Sequence, residues 1–142
     1  MPGSGSPVPV LVDTSIAVAL LSEDHPDHLA VLEHLAGHEL GLSGHAAFET
    51  YSVLTRLPTP ARRAAAVVTR LLDVNFPHSR FLSAARAGTL LSDLAGRGLA
   101  GGSVYDALVG AAAAEHGMTL VSRDLRARET YRAVGADVEV LP

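Results

Sequence analysis

The chain of 142 residues has no cysteine, no lysine and no tryptophan, and all eleven of its basic residues are arginine. The absence of cysteine excludes disulfides, thiol nucleophiles and cysteine-zinc sites, and nothing in the sequence requires an oxidising compartment. We therefore expect a cytoplasmic location. The absence of lysine excludes a Walker-type phosphate loop and other mechanisms that need a side-chain amine.

Aromatic residues and long apolar runs are also scarce. Three Tyr, three Phe and no Trp give little indication of a broad base-stacking platform. The longest apolar stretch, around residues 111–114, stops well short of the roughly 18 residues that span a bilayer. Residues 1–7 contain no apolar run and no basic stretch before one, so we expect no signal peptide and no membrane anchor. Residues 1–7, rich in Gly, Ser and Pro, are expected to form a flexible tail.

The remaining composition fits one folded domain, which we place at residues 8–142. Hydrophobic residues make up 48% of the chain and the mean hydropathy is +0.26, enough for one substantial core. The net charge of −4 argues against a protein that coats nucleic acid. That excess of four, however, equals the number of candidate site acids described next, so the overall charge excludes neither RNA nor DNA as a substrate.

Short apolar runs alternate with segments of helical periodicity. Strands are expected at residues 9–12, 40–43, 80–82, 118–121 and 138–141, with helices between them. Such alternation is typical of an α/β fold in which a parallel sheet of four or five strands is covered by helices on both faces.

Four carboxylates lie at the predicted strand-to-helix transitions. Asp13 and Asp124 directly follow strands, Asp106 lies in the first turn of a helix, and Glu49 lies early in another helix. In an open parallel sheet these positions share the edge formed by the carboxyl ends of the strands. Crowded carboxylates repel and need protons or a divalent cation for neutralisation, so a hard-metal site is the leading hypothesis.

Each acid also has a purely structural interpretation. Asp13 lies at a helix start with Thr14 as the expected N-cap, and Ser103 with Asp106 resembles a capping box. Glu49 suits a solvated helix face, with His45 one turn before it and expected at the surface. Asp124 is also placed to pair with Arg123 or Arg128, a contact worth under about 1 kcal/mol.

Taken together, the residues resemble the PIN-domain family, and more closely its VapC branch, the toxin ribonucleases of type II toxin-antitoxin modules. The resemblance extends from about residue 10 to residue 141, and the stretch around Asp106 is its most specific part. Ser122 departs from the threonine frequent in the family, although the hydroxyl is kept. The matching motifs are Val-Asp-Thr-Ser at 12–15, Glu49 with residues 53–57, residues 98–113 and Leu-Val-Ser-Arg-Asp at 120–124.

The resemblance implies a PIN-like three-layer sandwich and an endoribonuclease dependent on Mg²⁺ or Mn²⁺. Asp13 and Asp106 would be the principal metal ligands, and Glu49 and Asp124 would complete the acidic pocket. Hard cations prefer carboxylate oxygens, and they activate water for attack on a phosphodiester. The hydroxyls expected to orient carboxylates or waters are those of Thr14, Ser15 and Ser122. The family also implies a homodimer and a cognate antitoxin that fills the acidic groove.

Three arginines near the centre of the chain, Arg56, Arg62 and Arg63, are candidates for RNA contacts. A helical hairpin is expected there, with its second helix running from residue 59 to about residue 73. Guanidinium groups bind phosphate in bidentate fashion, and a solvated helix surface is the equal alternative.

Two functions from other classes stay open. One is a catalytically silent module that keeps the fold for binding, and the other is a phosphate-handling regulator, although such sites generally use a lysine. The sequence does not identify the RNA, the cleavage sequence or the number of metal ions.

Overall fold

The structure, a computed structural model, describes residues 8–142, so the tail predicted for residues 1–7 lies outside the described residues. Four parallel strands form one sheet with the order β2-β1-β3-β4. The strands are β1 (Val10–Val12), β2 (Leu40–Leu42), β3 (Leu120–Ser122) and β4 (Val138–Val140).

Within the described residues, seven helices connect and cover these strands. They are α1 (Thr14–Leu21), α2 (His28–Leu35), α3 (Ala46–Thr55), α4 (Ala65–Asn75), α5 (Ala84–Asp93), α6 (Ser103–Glu115) and α7 (Arg128–Ala133). None of them is long and apolar enough to cross a membrane.

The two faces of the sheet carry separate cores because side chains alternate along a strand. Val12 and Val121 point to the face covered by α1 to α4. Leu11 and Leu120, their neighbours in sequence, point to the opposite face, which α6 and α7 cover. The predicted parallel α/β sheet with helices on both faces is therefore confirmed, with four strands.

The strand predicted at residues 80–82 is wrong. Arg80 makes only an isolated parallel bridge to Ser43 beyond the end of β2. Leu82 then packs in the cluster beneath α5 and α6, so the chain leaves the sheet after a single paired residue.

Two predicted helices begin later than expected. The helix predicted from residue 59 begins at Ala65, because Pro58 and Pro60 have no backbone N–H and the chain closes a turn from Ala61 N–H to the carbonyl of Pro58. The helix predicted from Asp124 begins at Arg128. The Asp124 carboxylate accepts from the backbone N–H two residues later and holds a turn in place of the first helical residues.

Candidate active site at the carboxyl edge of the sheet

Asp13 lies directly after β1 and is 97% buried, with hydrogen-bond donors on both carboxylate oxygens. Its Oδ1 accepts from Ser15 Oγ at 2.6 Å and from the backbone N–H of Ile16 at 3.3 Å. Its Oδ2 accepts from Ser122 Oγ at 2.5 Å and from Tyr131 Oη at 2.8 Å. A carboxylate has about four lone-pair sites, so these donors engage all of them.

Asp13 is also the N-cap of α1, the place predicted for Thr14. That expectation is wrong, because the carboxylate accepts the N–H of Ile16 while Thr14 is already the first helical residue. The Thr14 hydroxyl is buried and makes no hydrogen bond in the described part of the chain. The role of Asp13 as a helix cap and its predicted role in the site are thus compatible, because the same carboxylate caps α1 and lies in the acidic pocket.

Ser15 and Ser122 connect Asp13 to the loop that follows β3. Ser122 Oγ donates to Asp13 and accepts from the backbone N–H of Asp124 at 2.9 Å. Ser15 Oγ donates to Asp13 and accepts from the backbone N–H of Arg123 at 2.9 Å. Two hydroxyls therefore fix the carboxylate and the loop bearing Asp124 relative to each other.

Tyr131, on α7, is the functional residue that sequence reasoning missed. Burial and then the charge of Asp13 raise the pKa of its hydroxyl well above the ordinary value, so the hydroxyl keeps its proton and donates to Asp13. A signal existed, because a tyrosine on the buried face of a helix needs a partner for its hydroxyl. The sequence does not show that this partner is 118 residues away.

Gly110 on α6 allows α7 to pack closely enough for this contact. A Cβ at Gly110 would lie 3.0 Å from Cα and 3.2 Å from Cδ1 of Tyr131, and 2.8 Å from Cγ2 of Val134. Real Cβ atoms essentially never approach a neighbour as closely as the 2.8 Å to Val134, and the two distances to Tyr131 are tighter than most real contacts. The absence of a side chain at Gly110 therefore sets the distance between the two helices and the position of the tyrosine.

Asp106 and Glu49 are half-buried, and neither carboxylate accepts a protein hydrogen bond within residues 8–142. Burial raises the pKa of Asp106, and the charges of Asp124 and Asp13 raise it further. Burial also raises the pKa of Glu49, the charge of His45 lowers it, and Asp106 and Asp13 raise it. The four predicted acids thus act on one another through their charges at the same edge of the sheet.

The predicted capping box at Ser103 is wrong. Gly102 is the N-cap of α6, and Ser103 Oγ instead donates to the carbonyl of Ala100 at 2.7 Å. Asp106 lies in the first helical turn as expected, without the back-bond that a capping box requires. Its oxygens are therefore available to a ligand.

The donor set suits a hard cation, although no three acidic or histidine side chains in the described chain lie close enough together to hold one ion among them. Mg²⁺ keeps several waters and commonly takes only one or two carboxylates with substrate phosphate. Asp106 and Glu49 offer carboxylate oxygens that have no hydrogen-bond donor among residues 8–142, whereas Asp124 accepts from the backbone N–H of Arg126 and pairs with its guanidinium at 3.5 Å. The residues therefore fit Mg²⁺ or Mn²⁺.

Among the candidate arginines, only Arg56 shares a cavity with a site acid. It follows the last residue of α3 and lines a groove of about 300 Å³ with His45, Phe48 and Glu49. Arg62 and Arg63 lie in the loop before α4, not on a helix as expected, and line a different cavity. Arg63 donates to the carbonyl of Leu21 at 3.0 Å, and Arg62 donates to that of Leu57 at 2.9 Å.

Comparison with known proteins gives a consistent result. A family model for the PIN domain matches residues 10–133. Ribonuclease VapC27 of Mycobacterium tuberculosis is 47% identical over 132 residues, which are 93% of this chain and 96% of the relative. Ribonuclease VapC40 of the same species is 43% identical over 130 residues, 91% of this chain and 96% of the relative.

Two solved structures share the fold. VapBC2 from Rickettsia felis, bound to a DNA fragment from their promoter, matches with a TM-score of 0.67 and 18% identity over 95% of this chain and 100% of that one. PAE2754 from Pyrobaculum aerophilum matches with a TM-score of 0.54 and 22% identity over 92% of this chain and 91% of that one.

Proposed function

Because the chain belongs to the VapC branch of the PIN-domain family, we propose that it is an endoribonuclease that hydrolyses phosphodiester bonds of RNA with Mg²⁺ or Mn²⁺. Two relatives that align with nearly the whole chain are named ribonucleases. All four acids of the resemblance are present in this sequence, as Asp13, Glu49, Asp106 and Asp124.

One observation carries the proposal. Burial, and then the charges of Asp124 and Asp13, raise the pKa of Asp106, although the three residues are far apart in sequence. Burying like charges together destabilises a fold unless a ligand neutralises them, so such a cluster points to cation binding. A bound divalent cation would supply Lewis-acid stabilisation of the phosphoryl oxygens and lower the pKa of a nucleophilic water.

The chain's own residues divide this work. Asp106 would hold the cation with one further carboxylate and with waters, and Glu49 and Asp124 would complete the acidic pocket. Asp13 faces them in one orientation because Ser15, Ser122 and Tyr131 donate to it. Ser122 also fixes the backbone of Asp124, so the cleavage geometry is set before substrate arrives.

Cleavage of total RNA by the purified protein in Mg²⁺, with EDTA as the comparison, tests the proposal. We expect Asp106→Asn and Asp13→Asn to abolish cleavage. Asp137→Asn is the matched control, because Asp137 precedes β4 and lies at the opposite edge of the parallel sheet. Undiminished cleavage by both site variants, or equal cleavage in EDTA, would refute the mechanism.

We further propose that the protein is the toxin of a toxin-antitoxin module, acts in the cytoplasm as a homodimer and binds an antitoxin encoded beside it. A solved structure that shares the fold is that of VapBC2 from Rickettsia felis bound to a DNA fragment from their promoter. Co-expression of the adjacent short gene should yield a stable complex with suppressed cleavage, and sedimentation of the free protein should give the mass of a dimer. Cleavage unaffected by that gene product would contradict the toxin assignment.

A further inference from the structure

An unbroken series of four rings crosses the surface beside the acidic pocket. We call it the aromatic row, and it consists of Tyr105, His45, Phe48 and Phe81. The Tyr105 and His45 rings stack with centroids 5.1 Å apart and planes 21° apart. His45 and Phe48 are 6.3 Å apart, and Phe48 and Phe81 are 6.1 Å apart.

The row exposes an unusual share of the chain's few aromatic side chains. Phe48 is 64% exposed, and Phe81 and Tyr105 are each 53% exposed. The chain has only six Phe and Tyr residues, so half of them lie on this one surface. The composition gave little indication of a stacking surface, and the fold produces one by bringing together rings from three separate segments.

The aromatic row runs directly along the acids. Phe48 immediately precedes Glu49, and Tyr105 immediately precedes Asp106. His45, Phe48 and Glu49 also line one groove along α3. A polymer lying on Phe48 would therefore pass close to Glu49.

Charged groups extend the same surface along one face of α3. His45, Phe48, Glu49, Ser52 and Arg56 line one groove of about 300 Å³ at spacings of three and four residues. The guanidinium of Arg56 is exposed at the far end of the groove, where it can bind phosphate. Because Glu49, one of the site acids, lines this same groove, an RNA strand bound at the acids would also reach the ring of Phe48 and the guanidinium of Arg56.

We propose that the aromatic row is a base-stacking subsite for single-stranded RNA, with nucleobases on the exposed faces of Phe48, Phe81 and Tyr105 and a phosphate on Arg56. This rests on the proposed ribonuclease function and assigns the binding of nucleobases to these rings. Bases inside a duplex are already stacked on each other, whereas bases in loops and single strands are free to stack on side chains.

Binding of a short RNA homopolymer, compared with the same sugar-phosphate chain lacking bases, tests the proposal. Both are measured by fluorescence anisotropy in the Asp106→Asn background, which prevents cleavage. We expect Phe48→Leu to weaken binding of the base-bearing RNA by about tenfold and to leave the abasic chain unchanged. Leu91→Ala, on α5 and 73% exposed in the wild type, is the control for loss of an exposed apolar side chain.

Phe48→Trp gives a second readout because the chain has no other tryptophan. We expect this variant to keep RNA affinity and its emission to be quenched by the base-bearing RNA, with no quenching by the abasic chain. Phe48 is exposed, so thermal unfolding of both Phe48 variants should match that of the parent.

Several outcomes would overturn the subsite. They are equal binding of the two RNAs, full affinity in Phe48→Leu, dissociation of a dimer by Phe48→Leu, and quenching of Phe48→Trp only by the neighbouring gene product. The last two would assign the row to a second copy or to a protein partner. Cleavage with base-independent binding would refute the subsite alone, and base-dependent binding without cleavage would refute the nuclease alone.

Discussion

The acidic pocket has two halves that differ in how the protein treats a carboxylate. In the held half, Asp13 is almost fully buried and accepts from Ser15, Ser122, Tyr131 and the start of α1. In the open half, Asp106 and Glu49 are partly exposed, have raised pKa values and accept no hydrogen bond from the described residues.

Carboxylates therefore perform two different tasks in the pocket, depending on whether the protein donates hydrogen bonds to them. A carboxylate whose lone pairs are all engaged fixes geometry and contributes to folding stability. A carboxylate without donors costs stability and is available to a ligand. The held half is therefore expected to govern both stability and catalysis, and the open half mainly catalysis.

The largest expected effect is on the two aspartates. Asp13→Asn and Asp106→Asn should each reduce RNA cleavage by about 10³-fold, since several kcal/mol of charge stabilisation is lost. Asp13→Asn should also lower the free energy of unfolding by about 1–3 kcal/mol, because hydroxyl donors lose an acceptor. Asp106→Asn should leave it unchanged or raise it, as urea denaturation would measure. Equal destabilisation by the two variants would erase the distinction between the halves.

Tyr131→Phe should have the next largest effect. It removes one donor to Asp13 while keeping the ring that packs on Gly110. We expect a loss of about 1.5–3 kcal/mol in the free energy of unfolding and a reduction in cleavage of about 10–100-fold.

Tyr51→Phe is the matched control, because the Tyr51 hydroxyl makes no hydrogen bond among residues 8–142. It should change the free energy of unfolding by no more than about 0.5 kcal/mol. If the two variants unfold alike, the hydroxyl of Tyr131 does not hold Asp13.

The open half should leave a smaller signature in the pH dependence of stability. Folding raises the pKa of Asp106 above 3.8 and that of Glu49 above 4.5, so the folded state binds more protons than the unfolded state there. Stability from these groups is present below the ordinary values and is lost as pH rises through the raised ones. The advantage of Asp106→Asn over wild type in free energy of unfolding should therefore grow from about pH 4 and then level off.

Added Mg²⁺ or Mn²⁺ should remove that advantage by stabilising the wild type, by about 2.7 kcal/mol when the ion is at a hundred times its Kd. Denaturation curves across this pH range, with the ion and with EDTA, provide the measurement. An advantage that shrinks with rising pH would contradict the raised pKa values.

The smallest effect is expected at Thr14. The sequence predicted that its hydroxyl orients carboxylates or waters, but in the structure it belongs to neither half of the pocket. Its hydroxyl is buried and has no hydrogen-bond partner among residues 8–142, so Thr14→Val should change the free energy of unfolding by less than about 1 kcal/mol or raise it slightly. Ser15→Ala, one residue on, removes a donor to Asp13 and should cost more. A thermal melt of the two variants side by side decides whether Thr14 orients anything.

The features that could be predicted from the sequence are those that depend on local patterns of residues. Apolar runs followed by Asp13 and Asp124 located β1 and β3, and the carboxyl-edge rule placed the acids together, as the family membership and the parallel sheet now support. Caps were less predictable, because Asp13 and Thr14 compete for one position and both residue types favour it. The single bridge at Arg80 depended on where Leu82 packs, which no local pattern encodes.

The contacts that hold Asp13 were beyond local reasoning for a different reason. Ser122 and Tyr131 reach it across 109 and 118 residues, and the tyrosine depends on the missing side chain of Gly110. The aromatic row likewise joins residues from three segments. The composition gives the number of rings, but it contains no information on which of them lie next to one another in the fold.

The order of residues along the chain has a consequence for biosynthesis. A polypeptide emerging from the ribosome carries Asp13, Glu49 and Asp106 well before Ser122 and Tyr131 have been translated. Until those two hydroxyls arrive, Asp13 lacks the donors that orient it. Nascent chains, and fragments that end before α7, should therefore be inert towards the transcripts of the cell that makes them, and competence begins only when synthesis is nearly complete.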